Sequence, residues 1–429
     1  MIANIPETEL PRIVVIGAGF GGLKLVRQLV NTKYQIVLID KENYHAFQPL
    51  LYQVATAGLE PSSIAFPLRK LFQHKKNVHI RIDEVISVNI EDKFLTLKQI
   101  GRVNYDKLVF AQGAKTNYFG NDNIEKYAIP MKSVPEALTL RNRILGDYEI
   151  ALSITDYDLR QQYLDIVIVG GGPTGVEIAG ALAEMKKYIL PKDYGELNKD
   201  EVDIYLVDSG SNLLSSFSEK SSLNAKKSLE SLGIKLIQNT VVKDYDGIHV
   251  TLSDGKIIKS KKLIWAAGIS AGKINGLPEH VYGARQRILV GQQNDVIGLK
   301  DVYAIGDCAL MLSEDKPHGD PQVAQVAIQQ AVTLAKNLKA ELILKDPTPF
   351  VYKDMGSMAT IGRKKAIAEI FGLRFNGFFA WLTWLFVHLI SILGTKNKIL
   401  ILLNWSVSYF TRDQSLRLIL KAKDLNGSK

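Results

Sequence analysis

Two glycine-rich loops are the first features of this sequence that point to chemistry. The first, Gly17-Ala18-Gly19-Phe20-Gly21-Gly22, follows an apolar run, and Asp40 ends the next apolar run 18 residues beyond Gly22. Glycines in this pattern let the backbone approach a pyrophosphate. The carboxylate that follows can accept hydrogen bonds from the hydroxyl groups of a ribose. The loop therefore predicts a dinucleotide site, and the alternative is a purely structural glycine turn.

The second loop, Gly170-Gly171-Gly172-Pro173-Thr174-Gly175, repeats the pattern, but its acid comes later. Asp208 lies 33 residues beyond Gly175, whereas a spacing of roughly 20 is usual. A carboxylate there binds a free 2′-hydroxyl and repels a 2′-phosphate, and no arginine follows it directly. This favours NADH over NADPH. The alternative is that Asp208 merely ends a strand.

A third signal indicates a flavin. Leu299 to Asp307 is an apolar strand closing on Gly-Asp, where the aspartate can bind the ribityl chain of FAD. Two dinucleotide folds imply two dinucleotides, and a held FAD with an exchanging NADH is the usual pair. The run from Gln322 to Gln330 predicts a helix whose N-terminus faces the flavin, with Gln325 and Gln329 on one face. A solvated glutamine face fits the spacing equally well.

The elements that must position these residues form two βαβ units, Ile13–Asp40 and Ile166–Asp208. Continuous apolar runs such as Ile166 to Val169 are typical of parallel strands buried on both faces. We predict an α/β fold with two Rossmann-like dinucleotide-binding domains in a glutathione-reductase-like arrangement, plus a C-terminal amphipathic helical membrane-anchoring region. The predicted domains are 1–117 with 284–344 for FAD, 118–283 for NADH, and 345–429 for the membrane-associated region.

Composition excludes several classes of function. The chain has 429 residues and a single cysteine, Cys308, so it cannot form a dithiol pair or a multi-thiolate metal site, and no metal is predicted. The N-terminus lacks the pattern of a secretory signal, which argues against secretion. Of the net charge of +9, a surplus of eight lies between Met355 and Lys429.

That basic surplus flanks long apolar runs, which favours an anionic bilayer surface over nucleic acid. Phe375 to Leu393 holds 19 residues without a charge, just enough to span a bilayer. Its polar residues Asn376, Thr383, His388 and Ser391 fall on one side of a helix, so a helix lying in the interface is favoured over a crossing one. A hydrophobic dimer interface or a core helix is the alternative.

These motifs together resemble those of the type II NADH:quinone oxidoreductases. The specific segments are Asn43–Ala55, Gly170–Glu177, Tyr303–Asp307 and Ala324–Gln329. The resemblance implies a single-subunit, non-proton-pumping respiratory flavoenzyme that lies monotopically on the cytoplasmic face of the cell membrane. It also implies a homodimer, and electron transfer from NADH through FAD to menaquinone or ubiquinone.

The resemblance also implies site residues. The FAD positions are Gly17, Gly19, Phe20, Gly21, Gly22, Asp40, Lys41, Val85, Asp307 and Ala324. The NADH positions are Gly170, Gly172, Gly175, Glu177, Asp208 and Gly268, and the quinone positions are Gln48, Pro49, Leu50, Gln325 and Gln329. Glu177 is the implied catalytic residue beside the nicotinamide. Its position alone instead favours an acid in the first turn of a helix, stabilised by the helix dipole.

Three other functions compete with this one. A sulfide:quinone reductase needs more than one reactive cysteine, and a ferredoxin reductase has no use for an apolar, basic C-terminal region. From a different class, an NADH-binding flavoprotein with an interaction or signalling role, like the apoptosis-inducing-factor relatives, shares the two-nucleotide architecture. Fast turnover with quinone distinguishes the enzyme from such a binding protein.

Overall fold

The computed structural model describes residues 3–414 and 416–420. The helices are α1 (Phe20–Leu29), α2 (Leu51–Ala55), α3 (Pro61–Ile64), α4 (Leu68–Leu71), α5 (Asp122–Tyr127), α6 (Val134–Leu152), α7 (Tyr157–Leu164), α8 (Pro173–Tyr188), α9 (Leu190–Asp193), α10 (Glu219–Ser231), α11 (Ala324–Glu341), α12 (Gly377–Ser391) and α13 (Thr395–Thr411). The strands are β1 (Arg12–Ile16), β2 (Gln35–Asp40), β3 (Tyr44–Ala46), β4 (Ala65–Pro67), β5 (Val78–Ile82), β6 (Val85–Asn89), β7 (Phe94–Leu97), β8 (Gly101–Asn104), β9 (Lys107–Phe110), β10 (Lys115–Thr116), β11 (Ile129–Pro130), β12 (Ile166–Val169), β13 (Ile204–Val207), β14 (Lys235–Ile237), β15 (Val242–Tyr245), β16 (His249–Leu252), β17 (Ile257–Lys259), β18 (Leu263–Trp265), β19 (Ile269–Ser270), β20 (Ile288–Val290), β21 (Val302–Ala304), β22 (Ala309–Met311), β23 (Ser357–Thr360), β24 (Ala366–Ile370) and β25 (Leu373–Asn376).

The chain forms two compact units. The first contains the described part of Met1–Ala46, with Phe66–Lys115 and Ile269–Asp354, and the second contains Phe47–Ala65, Thr116–Gly268 and the described part of Met355–Lys429. These boundaries differ from the predicted ones, because the second unit takes in residues 47–65 and the C-terminal region. Packing is the reason, since α2 lies against α6 and α8, and Asn397 Nδ2 donates to Ser62 O at 2.8 Å.

The first unit is built on a five-stranded parallel sheet with strand order β21-β9-β1-β2-β5. Val14 pairs with Val37 on one side and Leu108 on the other, and all three side chains are fully buried. Helix α1 connects β1 to β2 and packs against α11. The first predicted βαβ unit is therefore present, with its glycine loop at the carboxyl end of β1.

The second unit repeats this plan with strand order β11-β18-β12-β13-β14. Ile168 pairs with Leu206 and Ile264, and α8 follows β12. An antiparallel sheet of β15, β16 and β17 packs its Val250 into the same apolar cluster as Val169. The second glycine loop thus also lies between a buried central strand and the N-terminus of a helix.

The C-terminal region is an antiparallel meander of β23, β24 and β25 followed by α12 and α13. Ala366 and Ala368 of β24 are buried against Ala380 of α12. The turn after β23 approaches α8 so closely that a Cβ on Gly180 would lie 2.7 Å from Gly362 N. Glycine at position 180 therefore lets the C-terminal sheet pack on the helix that follows the second loop.

The apolar run from Phe375 to Leu393 is not one helix. Phe375 and Asn376 belong to β25, and α12 begins at Gly377, so the predicted polar face loses Asn376. Within residues 3–414 and 416–420, the structure has no helix with the length and apolar character needed to cross a bilayer.

We expect Gly180→Ala to destabilise the second unit, because the added methyl group meets backbone atoms that cannot move independently. The matched control is Gly146→Ala in α6, where a Cβ meets no atom within 4 Å and alanine adds up to about 1 kcal/mol of helix propensity. Thermal unfolding of the flavin-loaded protein should give a lower midpoint for the first variant and an equal or higher midpoint for the second. Equal shifts in the two variants would contradict the close-packing argument.

Candidate active site

The first glycine loop and Asp40 form one hydrogen-bonded unit. Gly17 has a φ of +100°, and a Cβ on Gly22 would lie 1.8 Å from the Gly17 carbonyl oxygen, so both positions require glycine. The Ala18 N–H donates to Asp40 Oδ2, and the Glu42 N–H donates to Oδ1 at 2.8 Å. Burial raises the pKa of Asp40, and these two hydrogen bonds partly offset that rise.

The space in front of this loop suits a pyrophosphate. A Cβ on Gly19 would meet no atom within 4 Å, whereas a Cβ on Gly21 would lie 3.3 Å from Ala327 O. Among the described residues, no side chain caps the N-terminus of α1. The helix dipole and the first N–H groups of α1 are therefore available to an anion, and the residues present fit the pyrophosphate of FAD.

The other residues predicted to bind FAD belong to the same unit. They are Phe20 at the start of α1, Lys41 directly after β2, Val85 at the start of β6, Asp307 in the 3-10 turn Gly306–Cys308, and Ala324 at the start of α11. Lys41 makes an ion pair with Glu84 at 2.5 Å, and its side chain is 68% exposed. An ion pair this exposed contributes little to stability.

Gln330 is a site residue that the sequence analysis missed. Its side chain is buried on α11, and its Oε1 accepts a hydrogen bond of 2.7 Å from the Gly306 N–H. This hydrogen bond holds the turn that contains Asp307. Two neighbouring glutamines have other partners. Gln322 Nε2 donates to Asp307 O at 2.8 Å, and Gln329 exchanges hydrogen bonds of 2.9 and 3.0 Å with the Lys353 backbone.

The second loop repeats the geometry of the first. Gly170 has a φ of +112°, and a Cβ on Gly175 would lie 1.8 Å from Gly170 O, while one on Gly172 would meet nothing within 4 Å. Gly171 N–H donates to Asp208 Oδ2, and Gly210 N–H donates to Oδ1 at 2.7 Å. The late acid therefore occupies the same place relative to its loop as Asp40 does.

Gly268 has a backbone conformation that favours glycine, and it lies beside the ring of Phe119. Its φ is +74°, and a Cβ there would lie 2.5 Å from the ring of Phe119. Phe119 is 69% exposed and makes an edge contact with Trp265. An exposed aromatic ring beside Gly268 can contact a planar ligand, and the sequence analysis did not single it out.

Glu177 is the buried acid of the second unit. It lies on α8, is 8% exposed, and its Oε1 accepts the Thr360 N–H at 3.3 Å. Burial raises its pKa to about 8, and the Thr360 N–H and the Trp384 indole only partly offset this rise. A carboxyl with this pKa exchanges a proton near neutral pH, which is the property that a general acid or base requires.

The residues predicted for the quinone are divided between the units. Gln48, Pro49 and Leu50 form a 3-10 turn in the second unit, with Gln48 exposed and Leu50 buried. Gln325 and Gln329 lie on α11 of the first unit, where Gln325 is exposed. The two glutamines share a helix as predicted.

His388 on α12 is a second residue that the sequence analysis did not place. Its ring stacks on Trp384 at 3.8 Å and meets Phe47, which precedes the Gln48 turn, at 6.0 Å. Its Nδ1 lies 2.8 Å from Trp384 O; because a carbonyl only accepts, Nδ1 carries the hydrogen. Burial lowers the pKa of His388 to about 4, so the ring is neutral at physiological pH.

Cys308 is fully buried beside Asp307, with Sγ 3.3 Å from Ile305 O. Burial raises the pKa of its thiol to about 12, so it is no reactive thiolate. In the part of the chain that the structure describes, His, Cys, Asp and Glu side chains form no group of three or more able to hold a metal ion.

Comparison with known proteins places both parts of the chain. Residues 11–331 match the pyridine nucleotide-disulphide oxidoreductase family, and residues 355–413 match the NDH2 C-terminal domain. The type II NADH:quinone oxidoreductase Ndh of Mycobacterium tuberculosis is 36% identical over 423 residues, which cover 95% of this chain and 90% of that protein.

Solved structures show the same fold. NDH2 from Plasmodium falciparum in complex with NADH gives a TM-score of 0.87 at 22% identity, covering 96% of this chain and all of that one. The sulfide:quinone oxidoreductase of Aquifex aeolicus gives 0.70 at 18% identity, covering 88% and 90%. These similarities confirm the predicted fold class and give the interaction-protein alternative no support. Since both families match in order and the identity extends over almost the whole chain, the protein belongs to the type II NADH:quinone oxidoreductases.

Proposed function

We propose that the chain transfers electrons from NADH through one non-covalently bound FAD to a membrane quinone, without pumping protons. The observation that carries this proposal is the repeated unit of glycine loop and carboxylate, Asp40 in one unit and Asp208 in the other. FAD supplies the ability to accept a hydride from NADH and to pass the electrons to a quinone. The overall reaction takes up one proton for each NADH oxidised.

In the first unit, the glycine loop and the N-terminus of α1 would hold the pyrophosphate of FAD. Asp40 would accept hydrogen bonds from the hydroxyl groups of the FAD ribose. Lys41 and Val85 line the adenine end, and Asp307 binds the ribityl chain. Support for this placement comes from the open space at Gly19 and from the turn that Gln330 fixes around Asp307. The N-terminus of α11, at Ala324, stabilises negative charge on the reduced ring.

In the second unit, the loop of Gly170, Gly172 and Gly175 would bind the pyrophosphate of NADH. Asp208 would accept hydrogen bonds from the hydroxyl groups of the NADH ribose. Gly268 and Glu177 lie beside the nicotinamide in this proposal. Burial of Glu177 supports a role in proton handling, because a dry carboxyl holds its proton up to a pH of about 8. The residue therefore serves as an acid when a proton is needed and as a base afterwards.

From the family resemblance we propose quinone-contacting residues in each unit, Gln48, Pro49 and Leu50 in the second and Gln325 and Gln329 in the first, for menaquinone or ubiquinone. Exposed amide groups at Gln48 and Gln325 support this assignment, because an amide N–H can donate to a quinone carbonyl. Neutral His388 lies near the Gln48 turn through its contact with Phe47. It offers Nε2 as an acceptor for a hydroxyl of the quinol product.

We further propose that α12 and α13 lie in the surface of a membrane. Phe379, Phe386 and Phe410 are 74%, 63% and 82% exposed, and such a surface favours the acyl boundary. The helix hydroxyls are satisfied internally, since Thr383 Oγ1 donates to Phe379 O at 2.9 Å and Ser391 Oγ to Val387 O at 2.7 Å. The cytoplasmic face and the homodimer complete the proposal and rest on the family resemblance.

The function is tested by stopped-flow spectroscopy of the flavin-loaded protein. NADH should bleach the flavin absorbance within the turnover time, and a ubiquinone or menaquinone analogue should restore it. NADPH should bleach it far more slowly. A reduced flavin that persists in the presence of both quinones would contradict the proposal and indicate a binding protein instead.

Specificity for NADH is tested at Asp208. An arginine there would remove both hydrogen bonds that Asp208 accepts from the Gly171 and Gly210 N–H groups. Asp208→Asn is the milder change, because it removes the charge and keeps one of the two acceptor oxygens. We expect the ratio of kcat/KM for NADH over NADPH to fall by about tenfold, equal to roughly 1.4 kcal/mol. Asp254→Asn, a change at an exposed hairpin, is the control. An unchanged ratio at Asp208 would show that this acid does not read the ribose.

Membrane attachment is tested with Phe379→Ser and Phe386→Ser. Each exposed ring should contribute about 1.5–3 kcal/mol when it enters the apolar phase, so each variant should lower binding to anionic liposomes by at least about tenfold. Tyr157→Ser, at a tyrosine 57% exposed on α7, serves as the control. Cosedimentation that is equal for all three variants and the parent would refute this membrane-facing surface.

A further inference from the structure

A cavity of about 110 Å³ lies beneath α12 and α13 in the second unit. At one end it is lined by Tyr52, Thr360 and Glu184, and at the α13 end by Ser408, Tyr409 and Gln414. Tyr52 and Thr360 are buried, whereas the three residues at the α13 end are half-buried. The lining therefore includes buried residues and half-buried residues of the α13 side, and its hydroxyl, carboxyl and amide groups, together with the volume, give room for a few water molecules.

A chain of hydrogen bonds from Trp405 through Gln53 to Tyr52 and Thr360 adjoins this cavity. The Trp405 indole N–H can only donate, and it donates to Gln53 Oε1 at 2.7 Å. This fixes the orientation of the amide, so Gln53 Nε2 donates to the Tyr52 hydroxyl oxygen at 3.0 Å. The Tyr52 hydroxyl oxygen also lies 3.0 Å from Thr360 Oγ1, and either hydroxyl can donate in this pair. When Tyr52 donates, the hydroxyl proton of Thr360 is left for another acceptor.

Glu177 is the acid next to the end of this chain. The Thr360 backbone N–H already donates to its Oε1 at 3.3 Å, so hydroxyl and carboxyl belong to neighbouring groups. Burial raises the pKa of Tyr52, and the charges of Glu177 and Glu184 raise it further. The Tyr52 hydroxyl is therefore within electrostatic reach of both carboxyls, stays protonated, and can pass a proton only by taking up another.

Charged and titratable groups at the cavity come from several elements. Tyr52 on α2, Glu184 on α8, Arg363 after β23 and Tyr409 on α13 line it, and His388 on α12 stacks on Trp384, which also lines it. His388 is neutral, and the Arg363 N–H donates to Glu184 Oε1. Burial raises the pKa of Glu184, so this acid can also hold a proton inside the cavity.

We propose that the proton consumed in each turnover reaches Glu177 through this cavity, with Glu184 as the outer carboxyl and the hydroxyls of Tyr52 and Thr360 as the relay. Thr360 gives its hydroxyl proton to the Glu177 carboxylate and receives the Tyr52 proton. Tyr52 is reprotonated by cavity water or Glu184, which draws on solvent. One proton moves, and both hydroxyls end unchanged. The inference rests on the proposed function for the place of Glu177 beside the nicotinamide.

The test measures proton exchange at Glu177 directly. Oxidised, flavin-loaded enzyme without substrate is mixed with D₂O near pH 6, and the infrared C=O band of the protonated carboxyl is followed over time. The band is assigned by its loss in Glu177→Gln. Tyr52→Phe and Thr360→Val should each slow the exchange by about tenfold or more, and Glu184→Gln should slow it less, since cavity water remains. Thr360→Val keeps the backbone N–H to Glu177.

Tyr245→Phe is the matched control, because Tyr245 is also buried in the second unit and donates to Ser260 O at 3.1 Å, but on β15. Its exchange rate should equal that of the parent. Exchange in Tyr52→Phe and Thr360→Val as fast as in this control would overturn the proposal. Since no NADH or quinone is present, that result is independent of the proposed function, which the stopped-flow experiment on the parent enzyme tests separately.

Discussion

One interaction recurs in both units, and the rest of the binding architecture depends on it. A carboxylate at the end of the second strand accepts the N–H of the second loop residue, Ala18 for Asp40 and Gly171 for Asp208. The loop is thereby held in a tight turn. A Cβ on its last glycine, Gly22 or Gly175, would lie 1.8 Å from the carbonyl oxygen of its first, Gly17 or Gly170. Because the carboxylate holds the loop directly, a change in one displaces the other, which couples the loop to the residue proposed to bind the ribose.

The C-terminal region does more than offer an apolar surface. Its strand β23 supplies Thr360, and α12 supplies Trp384, and these two residues with α8 enclose Glu177. This region packs against α8, which glycine at position 180 permits, and helps to bury the carboxyl. An acid that occupies an ordinary helical position becomes a group with a pKa of about 8 through a segment almost 200 residues away. The buried acid and the exposed apolar surface of α12 and α13 therefore belong to one packed unit.

Local patterns in the sequence predicted the two parallel sheets, both loops and the two acids, because the backbone angles of glycine and the burial of continuous apolar strands are determined over short spans. Long-range packing was not predictable in this way. Gln330 looked like one of several similar glutamines, and only its burial against Gly306 shows its role. Tyr52 forms a hydrogen bond with Thr360, which lies 308 residues later in the sequence. The assignment of residues 47–65 to the second unit likewise follows from long-range contacts, those of α2 with α6 and α8.

The single cysteine has a practical consequence. Cys308 is inaccessible and its thiol stays protonated, so the natural chain is silent toward thiol reagents while folded. Any cysteine introduced on the exposed face of α12 or α13 becomes the sole site for a fluorescent or spin label, with no background mutations needed. The depth of each helix in a lipid layer, and its distance from a label on either nucleotide-binding unit, then become directly measurable quantities.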